Sequence, residues 1–247
     1  MDPRLSVLEK RLSGVRRIIA FASAKGGVGK SICSTVSALL LSRDHRVGLL
    51  DLDLQGASDH LILGKNPSLP EEDGGIIPPA LFPNLSFMGV SLFSGNEPVP
   101  LRGQDTTNAI VELLSVTIWK KLDFLVIDMP PGIGEEVLDL IRFIERLEYI
   151  VINTPSPLSE SVVDRLIKIL KLSDARILGI MENMAGMDGS ERNGSKMLAE
   201  RNGIDFIGKV HFIPGLDGMV GNVDTLLESA FANELKIITE RIKAADL

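Results

Sequence analysis

The 247-residue sequence is poor in cysteine and in long apolar runs. Its one cysteine, Cys33, excludes internal disulfides and any metal site built from several cysteines of one chain, and it fits a reducing cytoplasm. No apolar run reaches the roughly 18 residues that a membrane-spanning helix needs. The opening segment MDPRLSVLEKRLSGVRR lacks the apolar core of a secretory signal. These absences predict a cytoplasmic protein that does not act at a membrane.

The formal net charge of −7 argues against a protein that coats nucleic acid, because such proteins neutralise phosphates with lysine and arginine. With 45% hydrophobic and 24% charged residues, the composition is that of an ordinary globular protein. No repeat or low-complexity tract divides the chain. We expect one domain over residues 1–247, with an N-terminal helix or extension over 1–15 and a docked C-terminal helix over 223–247.

Short β-rich runs alternate with helical patterns, which is typical of βαβ units and a mainly parallel sheet. Several runs are almost continuously apolar, as buried parallel strands are. The predicted strands cover residues 17–23, 46–53, 85–90, 122–129, 148–154, 176–182 and 205–210. The predicted helices cover residues 30–42, 105–119, 134–146, 157–172, 191–202 and 223–244. The predicted fold class is α/β, with about seven or eight strands and helices on both faces of the sheet.

The segment AKGGVGKS, residues 24–31, follows a predicted strand and opens a predicted helix. A glycine-rich turn at this point aims backbone N–H groups at one place, and the helix N-terminus adds partial positive charge. Lys30 would pair only with the β- and γ-phosphates of ATP, and the Ser31 hydroxyl would coordinate Mg²⁺. Ala24 replaces the first glycine of the strict P-loop pattern, and a turn without a ligand is the alternative. The expected nucleotide-binding residues of the loop are Gly26, Gly27, Val28, Gly29, Lys30, Ser31 and Ile32.

Acidic residues end two other predicted strands. Asp51 and Asp53 lie in LLDLDLQGASD, and Asp128 lies in LVIDMPPGIG. Ligands of open α/β sheets bind at the carboxyl ends of strands, where carboxylates can hold metal-bound water or orient an attacking water. A solvated pair at the strand end is the alternative for Asp51 and Asp53. In the turn after Asp128, we expect the N–H of Gly132 to contact a γ-phosphate.

The segment KGGVGKS resembles the deviant Walker A sequence of the ParA, MinD and Mrp ATPases, which have the P-loop NTPase fold. The resemblance implies a homodimer around ATP, in which Lys25 crosses to the partner's nucleotide and stabilises charge as an arginine finger does. It assigns Asp53 the positioning of water, Asp51 a place near the metal and Asp128 the Walker B role. A merely solvated Lys25 is the alternative. The implied catalytic residues are Lys25, Lys30 and Asp53, and the implied metal-site residues are Ser31, Asp53 and Asp128.

The resemblance also implies a pocket for adenine. Asn183, in LGIMENM, would pair with N6 and N7 of the base through its amide, although asparagine at a strand end is also a common turn residue. A second contact in this class usually comes from a proline after the next strand. Here His211 occupies that point and Pro214 follows three residues later. We expect Pro214 to contact the base and His211 to be a stacking or surface residue.

Longer segments resemble the Mrp-type branch, which is associated with iron–sulfur cluster scaffolding and delivery. They include LSFMGVSLFSGNEPVPLRG, WKKLDFLVIDMPPGIGE and AERNGIDFIGKV, and the resemblance runs from about residue 12 to residue 228. That branch usually carries a Cys-Pro-x-Cys motif whose cysteines bridge a cluster between subunits. The corresponding stretch here, MAGMDGSERNGSKM, has no cysteine, although thiolate is the ligand that such clusters require. An iron–sulfur cluster is therefore implied by resemblance alone.

Together these features imply a Mg-ATP-dependent ATPase that acts in iron–sulfur assembly, as a carrier or as the cysteine-less partner of one. Hydrolysis is expected to be slow, because Ile133 and Glu135 replace the Thr and Asp of the branch. One alternative is a positioning ATPase like ParA or MinD that holds DNA or a membrane. The acidic net charge and the mixed charge of the C-terminal helix disfavour it. The other alternative is a regulatory switch that binds ATP and scarcely hydrolyses it.

Overall fold

The computed structural model describes residues 3–65, 69–94, 101, 103–187 and 193–245, except for the side chains of residues 3–5. Its strands are β1 (Val15–Ser23), β2 (Val47–Asp51), β3 (Glu71–Glu72), β4 (Ile76–Ile77), β5 (Ala80–Phe82), β6 (Leu85–Gly89), β7 (Leu122–Asp128), β8 (Leu147–Asn153), β9 (Arg176–Ala185) and β10 (Phe206–His211). Its helices are α1 (Pro3–Leu12), α2 (Lys30–Leu41), α3 (Asp59–Leu63), α4 (Ser91–Ser94), α5 (Gln104–Val116), α6 (Glu135–Phe143), α7 (Pro157–Leu172), α8 (Gly194–Asn202), α9 (Val223–Glu228) and α10 (Ala230–Ala244), with a 3₁₀ turn over Leu216–Met219.

Eight of the described strands form one sheet in the order β10-β9-β8-β1-β7-β2-β6-β5. All neighbouring pairs are parallel except β5 and β6, which run antiparallel. This arrangement confirms the predicted α/β class and the mainly parallel sheet of seven or eight strands. The strands β3 and β4 form a separate antiparallel pair.

The edge strand β5 is absent from the sequence prediction. It has three residues and lies between Pro79 and Pro83. Proline lacks an N–H donor, so it is tolerated at the edge of a sheet and it limits the length of the strand there. Three residues are too few to show the alternating pattern on which a strand prediction depends.

The central strand β1 lies between β7 and β8. Its register with the neighbouring strands determines where the site lies. Its residues Ile18, Ile19 and Phe21 are at most 1% exposed. The parallel register places Phe21 beside Asp128 of β7, and it places Asp51 of β2 beside the same Asp128. The carboxyl ends of β1, β7 and β2 therefore meet at one edge of the sheet.

The predicted helix over 223–244 is wrong, because the structure divides it into α9 and α10 at Ser229. The backbone of Ser229 is extended, and its Oγ accepts the N–H of Ala232 at 3.2 Å, which caps α10. The hydroxyl also donates to the carbonyl of Leu226 at 2.6 Å. The helical spacing of apolar residues continues across this break, so it did not reveal the break. Within α10, Leu235 and Ile238 are fully buried against the body.

Other helix limits differ from the prediction by a few residues. The helix predicted over 105–119 ends at Val116, since Thr117 has extended backbone and forms an isolated bridge with Ile76. The helix predicted over 191–202 starts at Gly194, and residues 191 and 192 lie outside the described part of the chain. Among the described residues, no helix combines the length and apolar character needed to cross a bilayer.

Candidate functional site

A cavity of about 530 Å³ opens where the glycine-rich loop, the segment after β2 and the ends of β9 and β10 meet. Lys25, Val28, Asp128 and Pro214 are not among the residues that line it, although the neighbours of Pro214 on both sides are. The predicted site residues that line it are Gly26, Gly27, Gly29, Lys30, Ser31, Ile32, Asp53 and Asn183.

The glycine-rich loop between β1 and α2 has the backbone that a phosphate-binding turn needs. Gly27 and Gly29 have φ angles of 73° and 78°, which side-chain-bearing residues rarely adopt. A Cβ atom at Gly26 or Gly27 would meet nothing within 4 Å, so open space lies over both residues. A Cβ atom at Gly29 would lie 2.3 Å from Nδ2 of Asn183. The loop therefore offers its main chain to the cavity, and Gly29 also allows close contact with β9.

Lys30 lies at the start of α2 and is 5% exposed. Its Nζ lies 2.7 Å from Oδ2 of Asp128 and 3.9 Å from Oδ2 of Asp53. The contact with Asp128 is a close, buried ion pair, and the contact with Asp53 is a longer one. The expectation that Lys30 pairs only with phosphates was wrong, because Asp128 is its partner in this structure.

Asp128 ends β7 and is fully buried. Its Oδ2 accepts the hydroxyl of Ser31 at 2.7 Å, and its Oδ1 accepts the hydroxyl of Ser34 at 3.1 Å. The structure thus brings together Lys30, Ser31 and Asp128, three residues that the sequence pattern placed in one site. Hydroxyl and carboxylate oxygens are ligands that Mg²⁺ prefers.

Asp51 holds the segment between β2 and α3 in place. Its Oδ1 accepts the N–H of Asp53 at 3.0 Å, and its Oδ2 accepts the N–H of Ser58 at 3.2 Å and that of Asp59 at 3.4 Å. The carboxylate of Asp53 is fixed in turn, because its Oδ1 accepts the N–H of Gly56 at 2.9 Å. The other oxygen of Asp53 is then free to face Lys30 and the cavity.

Asp59 is a member of the site that the sequence analysis missed. It is fully buried, and its Oδ1 accepts the hydroxyl of Thr35 at 2.9 Å. Its Oδ2 has no hydrogen-bond partner among the described residues. Oxygens of Asp51, Asp59 and Asp128 lie within 4.8 Å of one another. Because acidic residues are common in the exposed first turn of helices, the sequence around Asp59 gave no signal of its burial.

Burial raises the pKa of all three carboxyl groups. It raises the pKa of Asp51 to about 7, with a further rise from the charge of Asp128 and an opposing effect of Lys30. The pKa of Asp59 lies well above its usual range, first because of burial and then because of Asp128 and Asp51. Burial also raises the pKa of Asp128, although Lys30 lowers it. Ionisation of all three groups is therefore unfavourable with Lys30 as the neighbouring cation, and a further cation would favour their ionised forms.

Two predicted loop contacts have different outcomes. Lys25 is exposed, and no described residue forms an ion pair with it, so its contribution to a second subunit stays a prediction. The N–H of Gly132 donates to the carbonyl of Ser23 at 2.8 Å. The expected contact of this N–H with a γ-phosphate is therefore not available in this structure.

Asn183 lies against the glycine-rich loop, where it is buried and its Nδ2 donates to the carbonyl of Val28 at 2.8 Å. His211 also lines the cavity, and Glu234 binds it twice. Oε2 of Glu234 accepts the N–H of His211 at 2.7 Å, and Oε1 lies 2.8 Å from Nδ1 of the ring. Pro214 is exposed and does not line the cavity, and its contact with a base stays a prediction.

A model of the protein family described as ParA, NUBPL iron-transfer P-loop NTPase matches residues 14–244. The chain belongs to this family. The match confirms the resemblance to Mrp-type P-loop ATPases that the sequence motifs indicated.

Two relatives of the iron-transfer P-loop NTPase carry names that mention iron–sulfur clusters. An iron–sulfur cluster carrier protein of Rickettsia bellii is 37% identical over 206 residues, which are 82% of this chain and 64% of that protein. This chain therefore spans less than two thirds of the length of that relative. The cytosolic Fe-S cluster assembly factor CFD1 of Saccharomyces cerevisiae is 32% identical over an alignment of 265 positions, with 98% of this chain and 90% of that protein covered.

Solved structures of other proteins share the fold of this NTPase. A nucleotide-binding protein from Archaeoglobus fulgidus in complex with ADP gives a TM-score of 0.75 at 24% identity, with 93% of this chain and 96% of that chain covered. The cell division ATPase MinD of Pyrococcus furiosus gives a TM-score of 0.67 at 21% identity, with 93% and 99% covered. At these identities the likeness shows the fold alone.

Proposed function

We propose that the protein binds Mg-ATP, hydrolyses it slowly and forms a homodimer around it. We further propose that it acts in iron–sulfur cluster assembly. The observation that carries this proposal is the position of Lys30. It is a buried cation paired with Asp128, at the end of a glycine-rich turn whose main chain is open to a cavity. An anion in that turn would receive the backbone N–H groups, the helix N-terminus and the ammonium group together.

The residues present fit Mg²⁺. Ser31 and Asp128 are already in contact through a hydrogen bond, and oxygens of Asp51 and Asp59 lie within 4.8 Å of an oxygen of Asp128. Ser31 and Asp128 would hold the ion, with Asp53 nearby at the edge of the cavity. The ion would neutralise charge on the phosphates during transfer of the terminal phosphoryl group.

The side chains then have separate tasks. Lys30 would exchange Asp128 for the β- and γ-phosphates. Asp53 would orient the attacking water with the carboxylate oxygen that Gly56 does not use. Lys25, which is exposed beside the loop, would extend to the nucleotide of a second copy of the chain. The engaged N–H of Gly132 and the replacements Ile133 and Glu135 support slow rather than rapid hydrolysis.

The link to iron–sulfur assembly rests on the family and on the names of the relatives. The single thiol of this chain does not support direct binding of an iron–sulfur cluster. Cys33 is fully buried in α2, and burial raises the pKa of its thiol far above the usual range. A buried, protonated thiol is a poor cluster ligand. We therefore infer that a partner protein supplies the cysteines, and the name of the yeast relative supports action in the cytosol.

The decisive experiment compares the parent protein with Lys25→Ala, and with Lys120→Ala as a matched control at an exposed lysine far from the cavity. With Mg²⁺ and a slowly hydrolysed ATP analogue, light scattering should show a doubled mass for the parent and for Lys120→Ala. Lys25→Ala should bind the analogue in titration calorimetry and stay monomeric. A parent protein that binds no ATP would refute the proposal, and a Lys25→Ala dimer as tight as that of the parent would remove the role of Lys25.

A further inference from the structure

We propose that a separate cavity, at the edge strand β10, binds a small amino acid with an acidic side chain, such as aspartate or glutamate. The cavity has a volume of about 270 Å³, and no described residue lines both it and the cavity at the glycine-rich loop. Pockets for drug-sized ligands occupy roughly 300–1,000 Å³, so the ligand of this cavity is a small molecule. The proposal goes beyond the proposed function and does not depend on it.

Three cations from three elements surround this cavity. They are Lys196 of α8, Lys209 of β10 and Arg241 of α10. No described residue forms an ion pair with any of them. Nη1 of Arg241 donates to the carbonyl of Ile207 at 3.0 Å, which holds the guanidinium at the edge of β10 and leaves its other N–H groups for a ligand. The cavity therefore offers several charged donors to anionic groups.

A buried carboxylate lies among these cations. Glu182 of β9 lines the cavity and is 3% exposed, and Lys209 is its register partner on β10. Its Oε2 accepts the hydroxyl of Ser195, and the oxygen of that hydroxyl accepts Nδ2 of Asn153 at 3.0 Å. These hydrogen bonds fix the carboxylate in place. Its Oε1 has no hydrogen bond to a described residue, so it remains for a donor group of a ligand.

The charges around the cavity determine which ligand fits. An anion alone would lie beside the buried carboxylate of Glu182, which would repel it strongly in a medium of low polarity. An acidic amino acid carries groups of both signs. Its ammonium group can donate to Oε1 of Glu182, and its two carboxylates can accept from the two lysines and Arg241. Its net charge of about −1 also offsets part of the net charge of about +2 of the four side chains.

The alternative occupant is a simple anion, such as inorganic phosphate, bound by the three cations. We favour the amino acid because the hydrogen bond from Ser195 holds Glu182 at the cavity, where a simple anion would meet its negative charge. The experiment below distinguishes the two cases.

Calorimetry at about pH 7, without nucleotide or Mg²⁺, would measure the binding of L-aspartate and L-glutamate. Succinate and glutarate are matched controls that lack only the ammonium group, and inorganic phosphate is the simple anion. We expect a Kd of about 1 mM or less for at least one of the two amino acids. The corresponding diacid should bind at least about tenfold more weakly, because it cannot donate to Glu182. Phosphate should also bind at least about tenfold more weakly.

Two variants and a matched control test the residues. Glu182→Gln keeps the shape of the side chain and an acceptor for Ser195, and it turns the amide nitrogen toward the cavity. It should weaken the binding of the amino acid at least about tenfold without weakening that of the diacid. Lys209→Met should weaken the binding of both. Lys236→Met, at an exposed lysine of α10 that does not line the cavity, should bind as the parent does.

A diacid or phosphate that binds the parent as tightly as the amino acid would overturn the proposal in favour of a simple anion site. Absence of binding of both amino acids at about 10 mM would also overturn it. Unchanged affinity in a folded Glu182→Gln or Lys209→Met variant would do the same, and thermal melting shows whether each variant is folded. Because nucleotide is absent from this assay, its failure leaves the proposed function untouched, and a protein that binds no ATP can still bind the amino acid.

Discussion

Replacing Lys30 by methionine is expected to destabilise the protein without nucleotide, in addition to abolishing ATP binding. Methionine keeps most of the apolar volume of the lysine and removes its charge. Nζ of Lys30 is 2.7 Å from Asp128, and the two side chains are 5% and 0% exposed. Removal of one partner from a buried ion pair costs about 3–5 kcal/mol. This is a large part of the total stability of a typical domain, which is about 5–15 kcal/mol.

The loss should depend on pH, with a definite sign. The pKa of Asp51 is raised from 3.8 to about 7, so the folded protein retains a proton that the unfolded chain releases. Such a group contributes stability below pH 4, and that contribution is lost as the pH rises toward 7. A rise of about 3 units corresponds to about 4 kcal/mol for this group alone. Because Lys30 lowers the pKa of Asp51, Asp59 and Asp128, its removal should cost more at pH 8 than at pH 5.

Urea unfolding at pH 5 and pH 8 would measure both effects. The single tryptophan, Trp119, is buried and provides the fluorescence signal. Lys121→Met, at an exposed lysine, is the matched control. Adding Asp128→Asn to Lys30→Met should recover part of the lost stability, because it removes the carboxylate that Lys30 neutralised. A loss below about 1 kcal/mol at pH 8, or an equal loss at both pH values, would refute the assignment of Lys30 to a buried charge cluster.

Two further predictions concern hydrolysis and cluster binding. Asp53→Ala should retain ATP binding and lose hydrolysis, which traps the ATP-bound dimer, and a phosphate-release rate equal to that of the parent would show that Asp53 does not position water. Anaerobic reconstitution with iron and sulfide should give no stable stoichiometric cluster, because a bridging four-iron cluster needs about four thiolates and each chain has only Cys33. Visible absorption and iron content after desalting would test this, and a cluster that is lost in Cys33→Ser would contradict it.

The sheet was predictable from the sequence because parallel strands that are buried on both faces appear as continuous apolar runs. β1 and β7 are examples, and their predicted limits differ from the observed ones by no more than two residues. The prediction failed where a local hydrogen bond or a very short element decides the structure. The side chain of Ser229 caps α10 and divides a helix whose apolar pattern continues, and the three residues of β5 have no detectable pattern.

The site was predictable only in part for a related reason. Order along the chain, from strand to loop to helix, was enough to place Lys30 and Ser31 together, and the ends of strands were enough to place Asp51 and Asp128. The local sequence does not show which residues that are distant along the chain contact one another in the fold. The contact of Lys30 with Asp128, the burial of Asp59 and the bond between Glu234 and His211 all depend on packing between elements.

The carboxylate cluster is a consequence of strand register. Asp51 and Asp128 are register partners at the ends of β2 and β7, and neighbouring strands lie about 4.8 Å apart. Two buried carboxylates at that distance repel each other strongly in a medium of low polarity. A shift of one residue in either strand would separate them, but it would also turn the apolar residues of that strand to the wrong face. The hydrophobic core therefore fixes the acids in place. Their repulsion is relieved by Lys30, whose Nζ lies 2.7 Å from Asp128, and by a proton on Asp51, whose pKa burial raises to about 7.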